Sequence, residues 1–437
     1  MARAREPETA RIDSVTQDGK GIAALSGKKV FVAGALEGEE VRFRRRKRRR
    51  KYDEAELLEV LSASPKRIEP RCAVFGVCGG CSLQHVGDSD QRAIKEQALR
   101  DALERIGLVA PLRWLAPLFD SPWNYRRRAR LAVKDVAGKG RVLVGFRERH
   151  APLVTDMHRC EVLANPVGAL IDPLSEFIGD LSIRGRLPQI EVAVADNATS
   201  LVFRVLDAPT VSDLEHFRAF GAEHDIRIYL QPGGPDSVSL LQPEQSLPLL
   251  SYSMPEFDVV IEFEATDFIQ VNGAVNRLMV AMALELLQPE KEDRILDLFC
   301  GIGNFSLPLA RNCSHVTGVE GEPSLVTRAA ANALRNGVSN CEFRCADLSQ
   351  IDGNERWLAD NWTGLLLDPA RSGALEVVRH MRKIKPSRIV YVSCHPGTLA
   401  RDLGELVSEH GYRLEAAGIV DMFPHTGHVE SIALLKK

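Results

Sequence analysis

The segment D-L-F-C-G-I-G-N-F, residues 297–305, decides the fold of the carboxyl-terminal part of the chain. The mainly apolar stretch 294–299 predicts a buried strand, and the residues that follow the segment predict a helix. Gly301 and Gly303 let the connecting backbone turn sharply and approach a ligand closely. The segment lacks the third glycine of G-x-G-x-x-G, and no G-K-S or G-K-T occurs in the chain. Neither dinucleotide nor triphosphate binding is therefore favoured.

The same alternation of strand and helix continues to the end of the chain. Further strands are predicted at H-V-T-G-V-E (315–320), C-E-F-R-C-A-D (341–347), T-G-L-L-L-D-P-A (363–370) and S-R-I-V-Y-V-S-C (387–394). Two final strands, joined by a short loop, close the chain. The pattern predicts a doubly wound parallel sheet, which binds ligands beyond the carboxyl ends of its strands.

Acidic residues end the first three of these strands. Asp297, Glu320 and Asp347 are expected along one edge of the sheet, and Glu320 is placed to accept both hydroxyls of a ribose. Three unrelated loop acids are the alternative. The pattern resembles the Rossmann-like methyltransferases that use S-adenosyl-L-methionine (AdoMet), in which such acids hold the methionine moiety, the ribose and the adenine.

Cys394 ends the fifth strand, just before a helix predicted to begin near Thr398. The positive end of that helix would favour the thiolate, which is the nucleophilic form. A small buried side chain is the alternative for a single cysteine. The position of Cys394 on the ligand-binding edge favours the nucleophile.

A thiolate solves a specific methylation problem. Carbon 5 of uracil is not nucleophilic until a thiolate adds to carbon 6, and a base must afterwards remove the proton from carbon 5. Glu430, in H-V-E-S-I, could reach the same edge as Cys394, although it could also be an ordinary carboxylate on an edge strand. Amino-group methylation would more plausibly show a segment like N-P-P-Y, and this chain has D-P-A-R.

A group of cysteines lies in the amino-terminal half. Cys72, Cys78 and Cys81 form C-x5-C-x2-C among glycines, and Cys160 is the best candidate for a fourth ligand. A tetrahedral zinc site has similar spacing and stays open as the alternative to an iron–sulfur cluster. Nine cysteines without an export signal favour metal ligands or reactive thiols over disulfides.

The charge of the chain is uneven. The formal net charge is -3, yet nine of the ten residues 42–51 are Lys or Arg, so the rest of the chain carries -12. We expect this run between two strands of a small β domain, as a contact for nucleic acid. A solvated charged loop is the alternative.

Composition narrows the class of protein. Hydrophobic residues make up 45% of the chain and charged residues 26%, which is typical of a globular protein and excludes a disordered or collagen-like one. Charges interrupt every apolar run, so no membrane span is expected. The first residues do not resemble a secretory signal, and we expect a cytoplasmic protein.

Together these motifs resemble the RNA (uracil-5-)-methyltransferase family over essentially the whole chain. The most specific segments, beside residues 297–305, are D-F-I-Q-V-N (267–272), L-D-P-A-R (367–371), S-C-H-P-G-T-L-A-R-D (393–402) and F-P-H-T-G-H-V-E-S (423–431). Within the family, the likeness is strongest to the branch that has a TRAM module and an iron–sulfur cluster and methylates uridine 1939 of 23S ribosomal RNA. One departure is His395, where the family usually has asparagine.

The resemblance implies roles for individual residues. Cys394 would be the nucleophile, Glu430 the base, and Asp368 would help to hold the uracil, on which Phe268 would stack. The residues lining the AdoMet site would be Gln270, Phe299, Asn304, Glu320, Asp347 and Asp368. The ligands of a [4Fe-4S] cluster would be Cys72, Cys78, Cys81 and Cys160. The RNA phosphates would be held by residues 42–51 and by Arg126, Arg127, Arg128 and Arg130.

The expected architecture has three parts. They are a TRAM/OB-like β-barrel (1–68), a central α+β iron–sulfur domain (69–265) and an α/β Rossmann-like catalytic domain with a seven-stranded mixed sheet (266–437). A helix predicted at 89–108 could pack on the catalytic domain or on the central domain. The expected partner is 23S ribosomal RNA, free or in an assembling large ribosomal subunit, and the enzyme is expected to be a monomer.

Two other classes of function compete with this prediction. A non-catalytic RNA chaperone or assembly factor would not need Cys394 and Glu430, and both are present. A DNA cytosine-5 methyltransferase uses the same thiolate chemistry, but its nucleophile usually follows a proline, whereas Ser393 precedes Cys394 here.

Overall fold

The computed structural model describes residues 6–241 and 247–437. The amino-terminal part is a six-stranded sheet whose inward-facing residues, among them Val30, Val41 and Phe43, form a small core of their own. Its strands are β1 (Glu8–Arg11), β2 (Ser14–Val15), β3 (Lys20–Leu25), β4 (Lys28–Ala33), β5 (Glu40–Arg48) and β6 (Tyr52–Ser62). They lie in the order β1-β5-β6-β4-β3-β2.

The basic run does not lie between two strands as expected, because most of it is β5 itself. Val41 and Phe43 point into the core, so the alternating arginines point outward. The antiparallel neighbour β6 is acidic and therefore neutralises part of the run from within the protein. Directly opposed residues are Arg42 and Glu59, Arg44 and Glu56, and Lys47 and Glu54.

The helix expected at 89–108 is α1 (Asp88–Ala102), which continues as a π-helical turn over Leu103–Gly107. Leu99 and Leu103 are fully buried in the same hydrophobic core as Tyr391 and Leu403. The helix therefore packs on the carboxyl-terminal domain. It leads into the short strand β7 (Arg113–Trp114).

The central part is built on a second six-stranded sheet, in the order β13-β12-β11-β10-β8-β9. Its elements are β8 (Arg128–Val136), β9 (Arg141–Gly145), α2 (Ile171–Gly179), β10 (Gln189–Val194), β11 (Thr199–Arg204), α3 (Val211–His224), β12 (Ile226–Gln231) and β13 (Ser239–Leu240). This sheet is antiparallel except for one pair, because α3 returns the chain and makes β12 parallel to β11. A hairpin of β14 (Leu250–Met254) and β15 (Val259–Phe263) follows.

The carboxyl-terminal part is the doubly wound sheet that the sequence predicts. Its elements are α4 (Gly273–Leu287), β16 (Arg294–Leu298), α5 (Ser306–Ala310), β17 (His315–Glu320), α6 (Pro323–Arg335), β18 (Cys341–Cys345), β19 (Gly364–Leu367), α7 (Leu375–Arg379), α8 (Met381–Ile384), β20 (Arg388–Ser393), α9 (Pro396–Ser408), β21 (Arg413–Val420) and β22 (Glu430–Lys436). The strands β16 to β20 are parallel, and β22 is antiparallel to both β20 and β21.

This sheet has eight strands rather than the expected seven, in the order β18-β17-β16-β19-β20-β22-β21-β7. The additional strand is β7, which lies far earlier in the chain and adds to the edge parallel to β21. One hydrophobic cluster joins one face of this sheet, at Leu366 and Val390, to the central sheet at Leu131 and Ile190. The two parts therefore share a core.

A buried ion pair fastens α1 to the segment between β21 and β22. Lys95 is 1% exposed, and its Nζ donates to Asp421 Oδ1 at 2.6 Å and to the carbonyl oxygen of Phe423 at 2.9 Å. Removing one partner of such a pair costs on the order of 3–5 kcal/mol, because the other charge stays buried and unpaired. No helix within the described residues is both long and apolar enough to cross a membrane.

Candidate active site

The parallel strands β16 to β20 end at one edge of the sheet, and the predicted site residues collect there. The loop of residues 299–304 follows β16, and Glu320 is the last residue of β17. Asp368 follows β19 directly, and Cys394 follows β20 directly. The carboxyl edge is where α/β sheets of this kind bind their ligands.

The glycine loop is held in an unusual backbone shape. Phe299 has φ 64°, a conformation that only a constrained site imposes on an aromatic residue, and Gly301 and Gly303 have φ 54° and 95°. The carboxylate of Glu320 fixes the loop, because its Oε2 accepts from the backbone N–H of Gly301 at 3.0 Å. Oε1 of the same carboxylate accepts from the backbone N–H of Gly321 at 2.7 Å.

Two predicted AdoMet residues are engaged with the protein itself. The side chain of Asn304 exchanges two hydrogen bonds with Asn276 at 2.9 and 3.0 Å and also accepts from the hydroxyl of Tyr252 at 2.9 Å. These contacts tie the glycine loop to α4 and to the β14–β15 hairpin. Gln270 Nε2 donates to Asp368 Oδ2 at 3.5 Å, which links the segment before α4 to the carboxyl edge of the sheet.

Asp347 and Phe268 are both exposed to solvent. Asp347 is exposed and accepts from the hydroxyl and the backbone N–H of Ser349, which lowers the pKa of its carboxyl group. Phe268 is 70% exposed, a high value for a phenylalanine. An exposed aromatic ring is suited to stacking on a planar ligand.

Strand register brings Cys394 and Glu430 together. Ser393 of β20 is paired directly with Ser431 of the antiparallel β22. Cys394 directly follows β20 and Glu430 is the first residue of β22, so continuing the same register by one residue sets the two opposite each other. Side chains of such neighbours lie about 5 Å apart at Cβ and project from the same face.

Burial, and for two of the groups a neighbouring charge, raises the pKa of three ionisable groups at this edge. Burial raises the pKa of Asp368 to about 7. Burial, and then the charge of Asp368, raises the pKa of Glu430 well above its usual range. Burial, followed by the charges of Glu430 and Asp368, raises the pKa of the Cys394 thiol to about 11, against the opposing effect of Arg371.

These effects oppose the Cys394 thiolate, which the following helix is expected to favour. Helix α9 does begin two residues later, at Pro396. The helix end acts with about half a unit charge, whereas two carboxyl groups and partial burial act against the thiolate.

His395 replaces the usual asparagine without loss of its local role. It is the N-cap residue of α9, and its Nδ1 accepts from the backbone N–H of Thr398 at 3.2 Å. An asparagine side chain makes the same kind of hydrogen bond at an N-cap position. The loop after Cys394 is thus pinned by an imidazole nitrogen instead of an amide oxygen.

The four cysteines singled out in the sequence line one small enclosed cavity of about 20 Å³. All four are free thiols, and the backbone N–H of Gly80 donates to Cys78 Sγ at 3.4 Å. Burial raises the pKa of Cys81 to about 12, and the neighbouring thiols add to the shift. Within residues 6–241 and 247–437, no set of three His, Cys, Asp or Glu side chains is gathered as a binding site for a metal ion.

A cleft of about 660 Å³ lies between the amino-terminal sheet, the cysteines and the catalytic edge. It is lined by four arginines, Arg126, Arg147, Arg149 and Arg371, and we call it the arginine cleft. Among the described residues, none of the four has a carboxylate within ion-pair distance, and Asp18 and Glu148 are the acidic residues of the lining. Sequence reasoning assigned no RNA contact to Arg147, Arg149 or Arg371, because they come from two distant segments with no shared RNA-binding motif.

The other predicted RNA-binding arginines are held by the protein. Arg127 is 7% exposed, and its Nε donates to the carbonyl oxygen of Gln270 at 2.9 Å. Arg128 donates to the carbonyl oxygen of Ala265 at 2.5 Å. Arg130 is exposed and pairs with Glu191 at 2.9 Å. Arg127 and Arg128 are hydrogen-bonded within the protein and stabilise its fold. From this segment, only Arg126 and Arg130 can therefore contribute to a surface that binds phosphates.

A doubly wound sheet with a strained glycine loop and an acidic residue at the end of the second strand defines a Rossmann-like AdoMet methyltransferase. Residues 252–437 match the family model described as tRNA (Uracil-5-)-methyltransferase. The chain is 50% identical over 436 residues to the 23S rRNA (uracil(1939)-C(5))-methyltransferase RlmD of Nitrosococcus oceani, with 99% of this chain and 97% of that protein covered. The chain belongs to the RNA (uracil-5-)-methyltransferase family.

Other comparisons agree with this family. The Methylococcus capsulatus protein of the same name is 49% identical over 432 residues, covering 99% of this chain and 97% of that protein. The crystal structure of Pyrococcus abyssi tRNA (uracil-54, C5)-methyltransferase in complex with S-adenosyl-L-homocysteine superimposes with a TM-score of 0.77 at 24% identity. That superposition covers 98% of this chain and all of the other, so the two proteins share one fold.

Neutralising Asp368 tests the electrostatics of the edge. Above pH 7 its carboxylate is ionised and stabilises the protonated thiol, so Asp368→Asn should lower the pKa of Cys394. We expect alkylation of Cys394 by iodoacetamide at pH 8–9 to become roughly three- to tenfold faster.

The alkylation is followed by peptide mapping, with the exposed Cys345 of the same molecule as the internal reference. Asp352→Asn, at an exposed acid away from the edge, is the matched control and should leave the rate unchanged. An unchanged rate in Asp368→Asn would contradict the described coupling.

Proposed function

We propose that this protein uses AdoMet to methylate carbon 5 of a uridine in 23S ribosomal RNA, and that the target is uridine 1939. The observation that carries the chemistry is the strand register that sets Cys394 beside Glu430, next to Asp368, on the ligand-binding edge. The named activity of the relatives that match nearly the whole chain supports the RNA target.

Each step follows from the position of a residue. Cys394 Sγ, once deprotonated, adds to carbon 6 of the uracil and leaves electron density at carbon 5. AdoMet supplies the methyl group that carbon 5 takes up. The carboxylate of Glu430 then removes the proton from carbon 5, the carbon–sulfur bond breaks, and the sulfur leaves as thiolate while the ring double bond re-forms.

The remaining edge residues hold the two substrates. The glycine loop with Phe299, the carboxylates of Glu320 and Asp347, and the amide of Gln270 would line the AdoMet site. Asn304 would act by fixing that loop, since its side chain is already bonded to Asn276 and Tyr252. Asp368 would hold the polar edge of the uracil, and Phe268 would stack on the flipped base.

The rest of the chain would serve RNA binding. We propose three units: a TRAM-like module at 1–68, a central iron–sulfur domain at 69–265 and the catalytic domain at 266–437. The charged outer face of β5 and the arginine cleft would hold RNA phosphates, in free ribosomal RNA or in an assembling large subunit. The enzyme would act as a monomer in the cytoplasm.

We propose that the four cysteines hold an iron–sulfur cluster. They line one enclosed cavity, and burial with mutual repulsion makes four thiolates unfavourable there unless a positively charged centre compensates them. Cys72, Cys78, Cys81 and Cys160 would hold a [4Fe-4S] centre, which would stabilise the glycine-rich loop around it. The competing zinc site makes a different prediction for the bound metal.

Trapping with 5-fluorouridine tests the reaction. Fluorine at carbon 5 cannot leave as a proton, so the enzyme should stall as a covalent, methylated adduct with a 23S rRNA fragment that contains the analogue. We expect a labelled protein–RNA band on a denaturing gel when labelled AdoMet is supplied.

The band should disappear in Cys394→Ala and persist in Cys345→Ala, which removes an exposed cysteine away from the nucleophile. If RNA and AdoMet bind and no adduct forms, the catalytic proposal fails, and the protein is an RNA assembly factor instead. If a DNA oligonucleotide accepts the methyl group and RNA does not, the substrate class is wrong.

Metal analysis tests the cluster. Protein purified without oxygen should contain four irons and four sulfides per chain, with the visible absorption of a cluster. Cys81→Ser should lose both, whereas Cys345→Ser should keep them. One zinc per chain without sulfide would establish the zinc site instead.

Salt-dependent binding tests the arginine cleft. Arg147→Ala should weaken binding of the RNA fragment about three- to tenfold near 0.1 M salt and should reduce the slope of log K against log salt by about one. Arg186→Ala, at an exposed arginine that pairs with Asp207 outside the cleft, is the matched control and should change neither value. Equal effects of the two substitutions would remove the cleft from the RNA path.

A further inference from the structure

The loop that ends at Glu430 is held by several distant parts of the chain. This base loop, residues 421–429, joins β21 to β22 and contains His425 with φ 65°. Lys95 Nζ donates to Asp421, and the Tyr125 hydroxyl donates to the carbonyl oxygen of Pro424 at 3.1 Å. The backbone N–H of His425 donates to Gln91 Oε1 at 2.8 Å. The position of Glu430 therefore depends on anchors outside its own strand.

The amino-terminal sheet supplies one of these anchors. The turn between β2 and β3, residues 16–19, is called the docking turn here. Gln17 Nε2 donates to the carbonyl oxygen of Gly427 at 3.3 Å. A Cβ on Gly427 would lie 2.7 Å from Asp18 Cα and 2.9 Å from the Gln17 carbonyl oxygen. Gly427 is therefore required by the close approach of the docking turn and not by its own φ.

The docking turn also packs against the residues that follow the cysteines. A Cβ on Gly19 would lie 2.8 Å from both Leu83 Cδ2 and the carbonyl oxygen of Ser82. The backbone N–H groups of Ser82 and Leu83 in turn donate to the carbonyl oxygen of His425 at 2.8 and 2.9 Å. The docking turn, the segment after Cys81 and the base loop thus meet at one point, three to five residues before Glu430.

We propose that the docking turn positions the catalytic base. By holding Gly427 in place, it keeps the Glu430 carboxylate aimed at the proton on carbon 5 of the methylated uracil. The amino-terminal sheet then contributes to the second half of the reaction, in which Glu430 takes that proton and the bond from Cys394 to carbon 6 breaks. This inference rests on the proposed role of Glu430.

The test separates formation of the adduct from its breakdown. Gly427→Ala and Gly19→Ala push the docking turn and its neighbours apart. Gly27→Ala is the matched control, because Gly27 also lies in a turn of the same sheet, has φ 74° against 76° for Gly19, and has no atom within 4 Å of its Cβ position. Gln17→Ala changes an exposed residue and removes only the hydrogen bond to Gly427.

Single-turnover reactions with a 23S rRNA fragment and labelled AdoMet are quenched. Methylated adduct and free methylated RNA are then counted separately. In Gly427→Ala and Gly19→Ala, adduct breakdown should slow between about 10- and 100-fold, so that adduct accumulates while its formation stays within about twofold. Gln17→Ala should show a smaller accumulation in the same direction, and Gly27→Ala should behave as the unmodified protein.

Two outcomes would overturn the proposal. If all variants lose both steps equally, or if only the RNA concentration needed for half-maximal rate increases, the docking turn has a structural or RNA-binding role alone. Glu430→Gln separates this failure from failure of the proposed function. If Glu430→Gln accumulates adduct and neither the glycine variants nor Gln17→Ala does, only the positioning role falls. If neither the variants nor the unmodified protein form the adduct, the proposed function itself is wrong.

Discussion

The antiparallel pairing of β22 with β20 is the constraint on which the site depends. It sets Glu430 beside Cys394, although 35 residues of chain lie between them. A shift of the register by one residue would turn the carboxylate to the opposite face of the sheet, since side chains alternate along a strand. Hydrogen bonds along β22, and the core residues Ile432 and Leu434 that it buries, maintain that register.

The electrostatic design of the site follows from this packing. Burial, together with the charges of Glu430 and Asp368, raises the pKa of the Cys394 thiol and so opposes formation of the thiolate. The neighbouring cleft carries the opposite charge, with four arginines that have no carboxylate within ion-pair distance among the described residues. A polyanionic strand bound there would lie beside Arg371, the cation that already acts to lower the pKa of Cys394.

The base loop connects the three parts of the molecule. Contacts from α1, from the central part and from the amino-terminal sheet all converge on residues 421–428. The buried pair of Lys95 and Asp421 fixes one end of the loop, and strand β22 fixes the other. The parts that would bind RNA are therefore in direct contact with the segment that leads to Glu430.

The sequence by itself determined the elements of the carboxyl-terminal sheet and the glycine loop, because periodicity and turn residues are local properties, and its motifs singled out Cys394 and Glu430. It could not show that the basic run is strand β5 facing an acidic strand, or that β7 adds an eighth strand. It also could not show the burial and the charges that raise the pKa of Cys394, the arginine cleft or the docking turn. Each of these depends on residues that are distant in the chain and adjacent only after folding, and only the tertiary structure decides such contacts.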